Sequence, residues 1–453
     1  PRSGTTVTLG DSGDTFTIPS GATINNQGTA TNFGATGSAS WVTTVKTGDF
    51  TAVAGEGYFV NTTSGTITVT LPSSPAAGAV VAVSDYAGTA DTNNITIGRN
   101  GSNINGAASD QIISKENSAV TLVYVDGTQG WKATDTSNLS DIELQPEYIV
   151  ATGGTITCSG NFKIHTFTGP GTFTVNSVGN PLGSTSVDYL VVAGGAAGGS
   201  NGGGGGGAGG FRLSNSTCMP GPQTSPLATP TALTVTATSF PITVGGGGAQ
   251  SPGPGAGDGD DGSNSVFSTI TSSAGGGGGG TAPGQRSGRP GGSAGGGTYV
   301  SNTGGGTGNT PPVSPPQGNN GGTGCASAPV SPGLHSGGGG GASVVGGPGN
   351  SPVGGTGGTG SFVVSAGFAG CNGTTGPVSG ARYFSGGGAG SPGDTSGTSA
   401  GGTGGGGPSQ HPSPAPSRNG TTNTGGGGGG GPGGPACGGA GGSGIVIIRY
   451  KYQ

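Results

Sequence analysis

The sequence GGGGGGGPGGPACGGAGGSGIVIIRYKYQ, residues 425–453, places an apolar strand directly after a run that is almost pure glycine. Within it, residues 445–452 read IVIIRYKY. An apolar strand with a free edge promotes aggregation, so we expect this strand to pair with another part of the same chain. The apolar segments at 187–193 and 239–244 are the predicted partners. This pairing would bring the start and the end of the glycine-rich region together at one base.

Glycine and proline dominate the composition. Of 453 residues, 114 are glycine and 32 are proline, a content typical of low-complexity or disordered chains. Runs such as SNGGGGGGAGG at 200–210 lack the strict Gly-X-Y period of collagen. Because only 28% of the residues are hydrophobic and 7% are charged, side chains cannot fill a conventional core along the whole chain. In an ordered chain of this composition, the backbone must provide much of the packing.

Glycine runs can pack through their backbones alone. Glycine loses more conformational entropy on ordering than any other residue, so many cooperative contacts must offset this cost. In the left-handed helix of the polyproline II type, every N–H and C=O points outward and can bond to a neighbouring run. The absence of Cβ atoms also permits close Cα–H···O contacts. We therefore predict a bundle of packed polyglycine II helices, joined by reversals and carrying loops at both ends.

The other segments predict an all-β protein. Apolar residues recur at period two between Gly, Asn, Asp and Pro, and helical periodicity is almost absent. Trp41 and Trp131 are expected to cap the core of a small domain near the start. In chain order, the predicted parts are a slender shaft-like β segment at 1–40, a small β-sandwich at 41–140, a linker at 141–148 and a glycine-rich domain at 149–453, closed by the strand 445–452.

No motif in the sequence makes a strong case for catalysis or metal binding. The stretch GGSAG at 291–295 fits the nucleophile-elbow pattern but lacks the strand-to-helix context. The stretch DGDDG at 258–262 could offer carboxylates to Ca²⁺, but the EF-hand glutamate is absent and a solvated turn is the favoured interpretation. Five cysteines lie far apart, which favours small buried thiols, with one opportunistic disulfide as an open alternative, over a zinc site or a disulfide framework. We expect no enzyme activity, no catalytic residue, no metal and no cofactor.

Charge and hydropathy exclude two classes of partner. The 13 Lys and Arg residues do not cluster with aromatic residues, so nucleic acid is not an expected partner. No stretch approaches the roughly 18 consecutive apolar residues of a membrane span, so membrane insertion is not expected.

Strand phrases recur in order along the glycine-rich region, about 148–453: VDYLVVAGG, GGGGGGAGGFR, FPITVGGGG, NSVFSTITSSAGGGGGG and GGSGIVIIRY. With these phrases the region resembles the glycine-rich module of bacteriophage tail-fibre proteins. It is also similar in principle to the polyglycine-sandwich adhesins at the fibre tips of some T-even-type phages. Residues 1–140 contain TVTLGDSGDTFTIPSGATI and AVTLVYVDGTQGWKAT, and they resemble shaft and β-sandwich modules of fibres from phages of aquatic bacteria.

The resemblance implies a virion protein of the tail fibre that assembles as a homotrimer. It also implies recognition of a receptor on the bacterial surface, either a glycan or an outer-membrane protein. Contacts with other tail or baseplate proteins are expected through the N-terminus. We therefore expect a non-enzymatic adhesin.

The inserts between the glycine runs carry the residues expected to bind such a receptor. Arginine and aromatic side chains dominate binding hot spots, and aromatic faces suit sugar rings. The inserts share no period, which favours display of different loops by a rigid block. The candidates are Arg286, Arg289, Tyr299, His335, Arg382, Tyr383, Phe384, His411 and Arg418.

Three alternatives stand beside the adhesin interpretation. Tyr383 and Phe384 could anchor their insert to the glycine block instead of meeting a receptor. The whole chain could be a purely structural fibre or filament subunit without direct receptor binding. A surface-glycan depolymerase is disfavoured because the sequence offers no paired carboxylates in a cleft-like domain.

Overall fold

The computed structural model describes residues 39–135, 143–216, 225–250, 257–300, 302–326, 334–350, 353–393, 396–412, 418–434 and 436–453. The shaft-like segment predicted at 1–40 lies outside the described residues, apart from its last two. The described residues form strands, turns and extended runs, which confirms the all-β class. One segment, Ser365–Ala369, has helix-like hydrogen bonds but leaves helical geometry at Ala366 and Gly367, so it is a loop.

The strands are numbered in chain order. They are β1 (Ser40–Lys46), β2 (Phe50–Thr51), β3 (Glu56–Val60), β4 (Ile67–Thr70), β5 (Val80–Asp85), β6 (Ile95–Gly98), β7 (Gln111–Ile113), β8 (Ala119–Asp126), β9 (Gly130–Asp135), β10 (Glu143–Leu144), β11 (Val150–Thr152), β12 (Thr155–Ser159), β13 (Phe162–Phe167), β14 (Gly171–Ser177), β15 (Ser186–Val192), β16 (Phe211–Ser214), β17 (Ala228–Thr229), β18 (Leu233–Thr234), β19 (Ser239–Thr243), β20 (Ser265–Phe267), β21 (Ile270–Ser272), β22 (Cys325–Ala326), β23 (Leu334–His335), β24 (Ser361–Val364), β25 (Ala381–Phe384), β26 (Gly397–Ser399), β27 (Ser409–His411) and β28 (Ile445–Lys451).

The first of two compact units ends at Gln145 and holds two five-stranded sheets, β1-β3-β5-β8-β9 and β10-β7-β6-β4-β2. Strands β1 to β6 alternate between the sheets and pair in parallel within each one. Strands β7 to β10 then complete both sheets through antiparallel pairs. Aliphatic side chains of both sheets, such as Val60, Val81 and Ile97, share one buried core. This part of the chain is therefore a β-sandwich.

The two tryptophans of this unit differ in burial. Trp131 is fully buried in the core between the sheets, whereas Trp41 is 43% exposed and stacks on Phe59 with ring centroids 4.8 Å apart. Trp41 lies on β1, an edge strand whose side chains are largely exposed. The prediction that both tryptophans cap the core is therefore correct for Trp131 and wrong for Trp41.

The second unit, Pro146–Gln453, has a base of two sheets. One has the order β11-β14-β19-β20-β21, and the other has the order β12-β13-β28-β15-β16-β17. Aromatic and aliphatic side chains from both sheets, including Phe173, Phe267 and Ile448, form the core between them. The second sheet has a further buried cluster that includes Ile447, Phe368 and Phe384.

The closing strand β28 lies inside the second sheet, between β13 and β15 and antiparallel to both. The predicted partner 187–193 is confirmed, since Tyr189 pairs with Ile448. The predicted partner 239–244 is wrong, because β19 pairs with β14 and β20 in the facing sheet. Val446 and Ile448 belong to one buried cluster and Ile445 and Ile447 to the other. Burial on both faces explains why residues 445–448 of the strand are all apolar and do not alternate with polar residues.

A buried ion pair lies in the same sheet. The Arg449 guanidinium donates to Asp188 at 3.2 Å, and both side chains are less than 5% exposed. Its Cζ atom lies 4.5 Å from the ring centroid of Phe162 and 4.6 Å from that of Phe368, a stacked cation–π geometry. Asp188 also accepts hydrogen bonds from the Ser214 hydroxyl and the Ser216 amide. Burial lowers the pKa of Arg449, and the neighbouring Asp188 opposes that shift.

Removing one partner of this pair should destabilise the second unit. We expect Arg449→Met to lower the free energy of unfolding by about 3–5 kcal/mol, because it leaves Asp188 as an uncompensated buried charge. The double variant Asp188→Leu/Arg449→Met should recover most of that loss in denaturant unfolding. A double variant that is as unstable as the single one would show that packing around Arg449, and not the unpaired charge, carries the effect.

The glycine runs above this base bond to one another with a three-residue repeat. In run 203–210, the first, fourth and seventh N–H groups donate to run 425–431. The second, fifth and eighth donate to 273–279, and the third and sixth donate to 337–340. A repeat of three with bonds in three directions is the pattern that the polyproline II geometry produces.

The carbonyl groups of the same run point to three further neighbours. Those at Gly204 and Gly207 accept from run 194–200, those at Gly205 and Ala208 accept from run 292–298, and those at Gly203 and Gly206 accept from run 386–391. Run 203–210 is therefore surrounded by six others, and all eight of its amides and its carbonyls at 203–208 and 210 are bonded to other backbone groups. We call this assembly of runs the glycine block.

Candidate functional site

The glycine block has an end at the sheets and an end away from them. Run 194–200 leaves β15, reverses at Ser200–Gly202 and returns as run 203–210 into β16. The reversal therefore marks the end away from the sheets, which we call the distal face. The Ser200 amide donates to Gly257 and the Asn201 amide donates to Ala436. Two separate loops thus meet the reversal.

Tyr299 and His335 lie at this distal face. The Ser336 hydroxyl donates to the Gly202 carbonyl at 2.6 Å and accepts from the Tyr299 amide at 3.0 Å. The Tyr299 ring lies directly against Gly202, where a Cβ would collide with it. His335 is 1% exposed, and its Nδ1 donates to the Pro392 carbonyl at 3.1 Å. Tyr299 is half-buried, so part of its side chain could contact a ligand. His335 is buried and stabilises the loop through its hydrogen bond.

Arg286 and Arg289 lie in one insert but have different surroundings. The Arg286 carbonyl accepts from the Thr298 amide beside the distal reversal, and its half-buried side chain has a buried Nε without a partner among the described residues. Arg289 donates from Nε to Asp261 at 2.9 Å and from Nη2 to the Gly259 carbonyl at 2.6 Å. Arg289 therefore has a structural role at the side of the block.

The acidic stretch DGDDG belongs to a ladder of side chains along that side. Asp258, Asp261 and Asn264 are three residues apart, so their side chains share one face of their run. Their oxygens accept, respectively, from the backbone amides of Gly280, Gly277 and Ala274. Burial raises the pKa of Asp258, and the bond from Gly280 opposes that shift. At this edge of the block, the three side chains therefore accept the hydrogen bonds that a further glycine run would otherwise accept.

His411 and Arg418 lie together beside a cleft of about 460 Å³. His411 is the last residue of β27. Arg418 is the first residue of a later run, and its carbonyl accepts a hydrogen bond from the Gly429 amide at 2.7 Å. The Nδ1 of His411 and the Nε and Nη2 of Arg418 are buried without a partner among the described residues. Burial lowers the pKa of Arg418, and Cys437 opposes that shift. The residues around the cleft are Gln250, His411, Arg418, Pro432, Gly433, Ala436 and Cys437.

The remaining candidates lie at the opposite end of the block. Arg382, Tyr383 and Phe384 belong to β25, which pairs with β24 against the base. Phe384 is fully buried and Tyr383 is 4% exposed, while Arg382 is half-buried. The alternative interpretation of the two aromatic residues as anchors therefore agrees with their burial. Of these three candidates, only Arg382 reaches the surface.

A groove of about 860 Å³ lies at the base, and no feature of the sequence predicted it. Its floor includes Thr157 and Ile164 of β12 and β13, and one wall is formed by residues 366–372. Strand β12 is an edge strand, and Ile156 on it is 45% exposed. The stretch TITCS of β12 is exposed at four of its five positions, although alternation of this kind is typical of a half-buried strand.

Within the described part of the chain, no group of three or more His, Cys, Asp or Glu side chains is placed to hold a metal ion. Ser293 of the GGSAG stretch is fully buried inside a glycine run, where its amide donates to Ala208. Cys158 and Cys371 are exposed free thiols, so the expectation of buried thiols is wrong for these two. No helix in the described ranges is long and apolar enough to cross a bilayer.

Comparison with known proteins gives one family. A family model described as a glycine-rich domain matches residues 166–451. No curated protein matches the chain significantly. The match begins within β13 and ends with β28, so it covers the closing strand together with the glycine block.

Proposed function

We propose that this chain, which belongs to the glycine-rich domain family, is a phage tail-fibre adhesin that binds a receptor on the bacterial host surface. The observation that carries the proposal is the distal face, where loops of unrelated sequence meet at the Ser200–Gly202 reversal. A binding loop that is already ordered loses little conformational entropy when its ligand arrives. A block whose runs are bonded to several neighbours is suited to hold such loops.

The side chains at the two ends of the block support this proposal. The distal loops hold Arg286, Tyr299, His411 and Arg418 in partly exposed positions, and the glycine runs below them have almost no side chains. At the base, the aromatic residues of β25 are buried by packing and cannot contact a ligand. Residue types that favour binding are therefore available at the distal face.

The test compares two half-buried arginines that lie at opposite ends of the block. We expect Arg286→Ser at the distal face to lower adsorption of the purified full-length protein to host cells at least tenfold. Arg382→Ser at the base should leave adsorption unchanged. In a homotrimer each loss is repeated three times, so attachment should fall by more than the single-site affinity. Unchanged melting of both variants is the control for folding.

Two results would contradict the distal face as the receptor surface. One is full adsorption by a folded Arg286→Ser variant, and the other is a loss confined to Arg382→Ser. Absence of adsorption by the parent protein on every strain that the phage infects would contradict the adhesin proposal itself.

A purely structural subunit is the second candidate, and one observation favours it. Edge strand β12 leaves backbone groups unpaired and exposes Ile156, a combination that suits pairing with another copy. A structural subunit should form open-ended assemblies as concentration rises, whereas the proposed adhesin should stop at a trimer. Analytical ultracentrifugation over a range of concentrations separates the two.

A further inference from the structure

The cleft beside His411 and Arg418 contains an unbalanced positive charge. Arg418 remains protonated in proteins even when burial lowers its pKa. The ion pairs of the described residues join Arg289 to Asp261 and Arg449 to Asp188, and Arg418 forms none with a described residue. Its Nε and Nη2 atoms are buried, so water cannot solvate the charge from that side. Among the described residues, Cys437 favours the charged form of Arg418, and an anion in the cleft would complete the compensation.

A second polar group at the cleft also lacks a hydrogen-bond partner among the described residues. The Nδ1 of His411 is also buried without a partner among the described residues. Most buried polar side-chain atoms in native proteins have a partner, so two such side chains on one cleft are exceptional. In contrast, Arg289 uses both Nε and Nη2 in bonds to Asp261 and Gly259. Arg286 also has a buried Nε without a partner among the described residues, but at this cleft two side chains with such atoms lie together.

We propose that this cleft binds an anionic group, a carboxylate or a phosphate, carried by a glycan of the bacterial surface. The inference rests on the proposed adhesin function and names the class of receptor. Arginine is the side chain best suited to carboxylate and phosphate. The exposed amide of Gln250 can bond to sugar hydroxyls at the mouth. The volume of about 460 Å³ lies within the usual range of small-molecule sites, roughly 300–1,000 Å³.

The test titrates the full-length protein with three small probes. Glucuronic acid supplies the carboxylate, glucose 1-phosphate supplies the phosphate, and glucose is the neutral control. We expect at least one of the two anions to bind and glucose to bind at least tenfold more weakly, by ligand-observed NMR. The anion that binds more tightly identifies the source of the charge. Equal binding of all three probes, or binding of none, would overturn the proposal.

Two arginine variants assign the effect to the cleft. Arg418→Gln should lower affinity for the anion at least tenfold, whereas Arg289→Gln removes the same charge from a paired site and should leave affinity unchanged. If Arg418→Gln does not fold, His411→Gln serves as the second variant, with an expected loss of about threefold. Anion affinity equal to that of the parent in the folded variant would overturn the proposal.

The outcome is separable from that of the adhesin proposal. Cell adsorption by a folded Arg418→Gln variant that still binds the anion like the parent would reject this cleft and leave the adhesin function standing. Anion binding that depends on Arg418, in a protein that adsorbs to no host cell, would support the cleft and reject the adhesin function.

Discussion

A chain shortened to end at Gly444 is expected to be insoluble and sensitive to protease. The deletion removes β28 from between β13 and β15, which leaves two unpaired strand edges in the middle of a sheet. It also removes four fully buried aliphatic side chains, at positions 445–448, from two cores. Each such side chain stabilises by about 1.5–3 kcal/mol, so the four together approach the whole stability of a typical domain, about 5–15 kcal/mol.

The matched control is a chain that ends at Lys451. It loses only Tyr452 and Gln453 and retains every residue of β28. This variant should stay soluble and resist limited proteolysis like the parent. Soluble, protease-resistant protein from the chain that ends at Gly444 would show that the glycine block folds without its closing strand.

Only one of the two partners of the closing strand was predicted from the sequence. Its partner β15 is apolar at nearly every position and was predicted, because a strand buried on both faces shows that pattern. Its other partner, β13, carries Lys163 and His165 and reads as an ordinary half-exposed strand. The sequence could not show that His165 is fully buried.

Hydrogen bonds explain how His165 can be buried. Its Nδ1 donates to the Gly153 carbonyl at 2.7 Å, and its Nε2 accepts from the Tyr450 hydroxyl at 3.2 Å. Burial lowers the pKa of His165 and raises that of Tyr450 to about 12, which keeps both groups neutral and this donor order intact. These partners are far apart in sequence, so residue type alone could not assign them.

The candidate residues were chosen by residue type, and the sequence does not assign them to one end of the block or the other. Their role in receptor binding stays a prediction. Their location depends on the direction of each glycine run, which glycine repeats do not encode. Phe384 and Tyr299 were both candidates, and an anchoring role was the alternative for Phe384. Phe384 lies in the core against the base, whereas Tyr299 lies on the distal reversal.

Gly428→Val is expected to unfold the glycine block, whereas Gly246→Val should be nearly neutral. A Cβ at Gly428 would overlap the carbonyl oxygen of Gly439 and lie 2.6 Å from its carbon, so a neighbouring run must move. That run is bonded to others, and the shift would break bonds from the Gly428 amide to Ala196 and from the Gly206 amide to Gly428. Gly246 is exposed, and a Cβ there would meet nothing within 4 Å.

Comparison of the two variants distinguishes a tightly packed backbone from an ordinary loop. Both residues lie in glycine runs and neither has a positive φ, so the variants differ mainly in how closely the backbone is packed. For Gly428→Val we expect a loss of more than about 4 kcal/mol, the range reserved for severe disruption of a core. That corresponds to a fall in Tm of roughly 8–16 °C. For Gly246→Val the change should stay within about 0.5 kcal/mol. Equal shifts in calorimetry would mean that the runs tolerate side chains and that the block does not depend on glycine at each buried position.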